Sequence, residues 1–104
     1  MTADLVSRIR EALRSVIDPE LGHNIVDLGF VYAITVAGGD VGIVMTATTK
    51  GCPAAGFLKD GVAASAARVE GVQSVDVVMT FDPPWTPTMI APEAKASLGF
   101  SNAH

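Results

Sequence analysis

The chain is poor in the side chains from which metal sites and covalent active sites are usually built. It has one cysteine, Cys52, and two histidines, His23 and the terminal His104. A single cysteine excludes an internal disulfide and points to a reducing compartment, so the cytoplasm is the expected location. There is no C-x-x-C pair, no histidine pair, no glycine-rich phosphate loop and no Ser/His/Asp set. Basic residues never occur two in a row and the net charge is −4, which leaves no concentrated basic face for nucleic acid. No apolar run approaches the roughly 20 residues of a membrane span. The N-terminus lacks the basic-then-apolar pattern of a secretion signal.

What is present is apolar. The composition is 49% hydrophobic and 17% charged, enough for a packed core and unlike a disordered chain. At 104 residues, one domain spanning 1–104 is expected. Leu5, Ile9, Ala12, Leu13, Val16 and Ile17 recur at helical spacing, predicting a helix over 3–17 that stops before Asp18-Pro19. Residues 18–29 are read as a connection. Alternation predicts strands over 30–37 and 41–48 around a Gly38-Gly39-Asp40 turn. Pro53 suits the start of a helix running to about Val69, with the stripe Ala55, Leu58, Val62, Ala66 and Val69, ended by Gly71. A third strand is expected over 72–81. Asp82 to Pro87 is too rich in proline for a ladder and is expected to be extended and stiff, with a short helix from Pro92 to Leu98. The expected fold class is α+β, in the order α-β-β-α-β. A three-stranded sheet is packed by helices on one face and followed by a proline-rich tail.

Cys52 lies in Thr48-Thr49-Lys50-Gly51-Cys52-Pro53, where strand passes to helix. A thiol at a helix N-terminus meets unpaired N–H groups and the positive end of the helix dipole, and both favour the reactive thiolate. A lone cysteine can equally be a small buried hydrophobe. Asp18 and Glu20 read either as turn residues around Pro19 or as carboxylates facing Cys52. A carboxylate near the thiol would raise its pKa and oppose the dipole. His23 reads as an ordinary solvated or capping residue, or as a base for Cys52 in a thiol enzyme. Thr46, Thr48 and Thr49 either reflect β propensity or line a polar pocket. Trp85, stiffened by Pro84 and Pro87, either covers the core or anchors a partner protein. Stable iron–sulfur and structural zinc sites take about four ligands, mostly thiolates. One thiolate per chain means that a cluster would be held transiently, across a dimer, or with outside thiols.

Four motifs occur in order: Asp18-Pro19-Glu20-Leu21-Gly22, Ile25-Val26-Asp27-Leu28-Gly29-Phe30-Val31-Tyr32, Thr46 to Pro53, and Phe81-Asp82-Pro83-Pro84-Trp85-Thr86-Pro87. Together, over nearly the whole chain to Phe100, they resemble the SufT/PaaD-like family of metal–sulfur cluster assembly factors. The resemblance implies a small α/β domain that helps mature iron–sulfur proteins by escorting or inserting clusters, and not an enzyme. It implies a functional pocket of Cys52, Asp18, Glu20, Thr48 and Thr49, with Cys52 as a transient ligand of iron or an iron–sulfur cluster. The implied partners are assembly machinery and client apo-proteins, contacted through Trp85 and Pro84. A homodimer sharing one cluster between two Cys52 thiolates is compatible with this reading. The rival functions are a metal-free adaptor and, ranked last, a thiol enzyme. Lys50 stands where the family commonly has proline, and Thr88 where it commonly has an acidic residue. The phenylacetate-type relatives carry a further cysteine-rich tail not found in this sequence, so the general assembly type is the expectation.

Overall fold

The computed structural model describes residues 4–47 and 54–94. The elements are α1 (Leu5–Leu13), β1 (Ile17–Asp18), β2 (His23–Asn24), β3 (Val31–Ala37), β4 (Asp40–Met45), α2 (Ala54–Ala67) and β5 (Ser74–Met79), then a 3-10 turn over Pro87–Met89. β3, β4 and β5 form one sheet in that order, antiparallel between β3 and β4 and parallel between β4 and β5. A parallel pair needs a crossover, and α2 supplies it. The α+β architecture with a three-stranded sheet is as the sequence predicts.

Period-two alternation builds the sheet. Val41, Ile43 and Met45 are buried on one face of β4, and Val77 of β5 joins them. Ile9 and Leu13 of α1 and Leu58, Val62 and Ala66 of α2 are fully buried in the same core. Burying each large aliphatic side chain contributes about 1.5–3 kcal/mol. Gly38 adopts φ +64° in the two-residue β3–β4 turn, and Gly71 adopts φ +100° beyond α2, as their sequence positions predict.

Three expectations need correction. The first helix ends at Leu13 and not at residue 17. The N–H groups of Arg14, Ser15 and Val16 donate to carbonyls three residues back, a tightened last turn. Val16 then accepts a bond from Ile25 N–H (3.0 Å), and Ile17 and Asp18 pair with Asn24 and His23. A long-range ladder therefore captures residues that local periodicity assigned to the helix, and Ile17 is left 46% exposed. For the same reason 18–29 is not simple connection, since it contributes the second strand of that ladder. The proline segment, finally, is not extended throughout: it bends at Asp82 and Pro83 and closes into the 3-10 turn. Helical geometry begins again at residues 92–94, while the remainder of the expected Pro92–Leu98 helix lies outside the described residues.

β3 carries a bulge. Val31 pairs with Met45 and Ala33 with Val44, leaving Tyr32 as the extra residue. The bulge re-aims Tyr32 toward residues 80–94, which run back across the end of the sheet as a strap. Its hydroxyl donates to the Pro83 carbonyl (2.9 Å).

Candidate functional site at the carboxyl end of the sheet

Parallel β4 and β5 place their carboxyl ends together. Thr80 N–H donates to the Met45 carbonyl (2.8 Å), and Thr46 N–H donates to the Phe30 carbonyl (2.8 Å). The exit of β4, the exit of β5 and the entry to β3 therefore meet at one end of the sheet. The exit of β4 leads toward Cys52, the exit of β5 opens the strap, and the entry to β3 follows the Asp27-Leu28-Gly29 turn. The ends of parallel strands are where α/β folds commonly gather function.

The acidic turn is attached to this end through the β1–β2 ladder. Asp18 is buried, at 1% exposure. Its Oδ1 accepts the N–H groups of Glu20 (2.7 Å) and Leu21 (3.0 Å), and its carbonyl accepts Gly22 N–H (2.7 Å). This is an Asx turn, so at Asp18 the turn chemistry is present in full. Glu20 stands exposed at its apex. Thr46 is buried and its hydroxyl donates to the Ala47 carbonyl (3.3 Å), which is backbone satisfaction. Thr48, Thr49, Lys50 and Cys52 lie outside the described residues. Among the described residues no three His, Cys, Asp or Glu side chains converge as a metal site.

His23 lies 3.6 Å from Asp27 Oδ2. Asp27 is the centre of a polar cluster that the sequence reading did not single out. Its carboxylate pairs with Arg14 and accepts Asn24 Nδ2 (3.2 Å), while its own N–H donates to Asn24 Oδ1 (2.9 Å). Burial raises the Asp27 pKa, but hydrogen bonds from Asn24, Arg14 and His23 and the charge of Arg14 outweigh it. The carboxyl therefore titrates below its ordinary range. Arg14 is correspondingly held above its usual value, first by the hydrogen bond to Asp27, against some desolvation, and with help from Glu11.

The backbone of this turn carries the strap. The Asp27 carbonyl accepts Ala91 N–H (2.7 Å), and the Leu28 carbonyl accepts the Trp85 indole N–H (2.7 Å). Gly29, at φ +80°, lies so close to Met89 that a Cβ there would collide with the Met89 carbonyl. The Trp85 ring meets Phe30 edge-on at 5.4 Å between centroids. Trp85 is thus half-buried against the core, whereas Pro84 beside it is exposed. The signal for these contacts in the sequence was the Asp27-Leu28-Gly29 motif itself, but motif spacing does not say which distant N–H groups its carbonyls receive.

Residues 7–77 match the family model described as iron-sulfur cluster assembly protein. The chain belongs to that family. The iron-sulfur cluster assembly match ends at Val77, before the strap. The chain is 43% identical over 89 residues to the Fe-S protein maturation auxiliary factor of Porphyromonas gingivalis, covering 85% of each chain. It is 39% identical over 100 residues to the Fe-S protein maturation auxiliary factor YitW of Bacillus subtilis, covering 95% of this chain and 98% of that one. Among solved structures, a domain of unknown function from Bacillus anthracis superposes with a TM-score of 0.88 at 35% identity, covering 93% of each chain. The family expected from the four motifs is the family found.

Proposed function

We propose that this chain serves iron–sulfur protein maturation as a non-enzymatic assembly or targeting factor. It helps deliver clusters to client apo-proteins, with the Cys52 thiolate as a transient ligand. The observation that carries the reading is membership of a cluster assembly family by a chain with a single cysteine. A stable cluster takes about four protein ligands, so one thiolate suits cargo in transit rather than a resident cofactor. A homodimer with two Cys52 thiolates, or thiols from the machinery and the client, would complete the set during transfer. Thr48 and Thr49 supply hydrogen bonds to sulfur in this reading, and Glu20 supplies the accessible carboxylate. Asp18 acts as a positioning residue for Glu20, a role supported by its burial and by its two bonds to the turn's N–H groups. Exposed Pro84, backed by the fixed Trp85 ring, is the contact surface for clients or machinery. The factor works in the cytoplasm.

Anaerobic reconstitution with iron and sulfide, wild type beside Cys52→Ser, tests the ligand role through visible absorption and metal analysis. A cluster that forms only with Cys52 present and then moves to apo-ferredoxin is the expected result. Equal iron in both proteins would remove Cys52 as a ligand, and no iron in either would leave the metal-free adaptor.

A further inference from the structure

The segment leading from α1 into β1 and the outer side of α2 enclose an open groove of about 470 Å³, walled by Val16, Ile17, Phe57, Gly61, Ala64 and Arg68. Two of its apolar side chains are unusually bare: Phe57 is 64% exposed and Ile17 46%. Gly61 and Ala64 keep the floor shallow between them. A second groove of about 300 Å³ shares Ser15, Ser65 and Arg68 and continues toward Glu11, whose carboxylate is already held by Arg14 (3.2 Å). At the shared point the Ser15 and Ser65 hydroxyls lie 3.4 Å apart. Among the described residues the Arg68 guanidinium makes no hydrogen bond and no ion pair, in a chain whose net charge is −4.

Phe57 lies in the first turn of α2, five residues after Cys52, and Arg68 follows the last. At about 1.5 Å per residue the two are separated by about 16 Å along the helix. That distance matches about five residues of extended chain. We propose that this groove docks an extended segment of a partner protein, whose apolar side chain covers Phe57 and Ile17 and whose carboxylate meets Arg68. Charge complementarity selects the occupant: an unpaired cation at one end of an apolar trough on an acidic protein favours an apolar segment followed by Asp or Glu. Docking here draws on no metal and on no contact from Cys52, so loss of the cluster-ligand reading would leave it standing.

The probe is a displayed library of nine-residue peptides selected on the full chain, followed by calorimetric titration of one synthetic winner. The expected consensus is an aromatic or aliphatic residue with an acidic residue three to five positions onward. Phe57→Ser should weaken binding about tenfold or more. Arg68→Glu should abolish binding of the acidic peptide and restore binding to its acid-to-lysine counterpart. Both side chains are exposed, so thermal melts should match wild type. No selected peptide, a consensus lacking the acid, or affinity unmoved by both variants would overturn the proposal. So would a concentration-dependent dimer in sedimentation that Phe57→Ser abolishes, since the occupant would then be a second copy.

Discussion

In the layer formed by β3, β4, β5 and α2, side chains meet side chains. In the strap over residues 80–94, an indole N–H and backbone N–H groups reach carbonyls far along the chain. Val41, Ile43 and Met45 share one core with Leu58 and Val62, through packing that any well-shaped apolar residue can make. Trp85 and Ala91 instead reach the Leu28 and Asp27 carbonyls, partners 57 residues from Trp85 in the first case. Apolar packing is graded and tolerant, while a directed bond to one carbonyl either forms or leaves a buried group unsatisfied. Among the described residues, the Asp27-Leu28-Gly29 and Phe81 to Pro87 motifs fall at the directed end of the molecule, and the periodic segments supply its platform.

Phe30 belongs to both regions, being fully buried in the core and edge-on to Trp85. Phe30→Ala should therefore have the largest effect, a loss of about 3–5 kcal/mol in urea unfolding. A loss below 1 kcal/mol would mean that strap and core are not joined there. Gly29→Ala comes next, expected to cost about 2–4 kcal/mol because it adds both left-handed strain and a collision with Met89. Its signature should be strap displacement, read as a shift in Trp85 fluorescence before global unfolding. Unchanged emission would show that the strap does not depend on that close approach.

Trp85→Phe keeps most of the ring packing and deletes the bond to the Leu28 carbonyl. A loss of about 1 kcal/mol is expected, with faster hydrogen exchange at Ala91 than at core amides such as Ile43. Equal acceleration at both sites would erase the distinction between the regions. The smallest effect is electrostatic. The Asp27 pKa is lowered on folding from its ordinary value of 3.8, so its contribution is present above that pH and is lost as pH falls through the folded value. Arg14 is 40% exposed at the side chain, and screening by solvent keeps the effect modest. The stability gap between wild type and Asp27→Asn should therefore close as pH drops below 3.8, while Phe30→Ala keeps its deficit. A gap constant down to pH 2 would assign the Asp27 contribution to shape rather than charge.

The platform was legible because its signals are local. Alternation in 41–45, the Ala-rich stripe of α2 and the glycines at 38 and 71 each declare themselves within a few residues. The first helix was overextended because Val16 and Ile17 fit its period, yet a ladder to residues 23–25 holds them in extended geometry. At the candidate site, Asp18 carries two readings in the sequence. Its burial and its bonds to Glu20 and Leu21 N–H groups specify the turn. Asp27 stands out in the sequence only as part of its motif, because its partners Arg14 and Ala91 lie 13 and 64 residues away.

The sequence by itself determined the fold class, the parts of the core and, through four ordered motifs, the family. Period and turn chemistry act over short spans, and motif order survives in one dimension. The tertiary structure alone decided that β4 and β5 run parallel, that their ends meet the Asp27-Leu28-Gly29 turn, and that Trp85 is fixed against the core. These are choices among partners distant in the chain. Their free energy comes from burial and from hydrogen bonds that exist only once the elements are assembled.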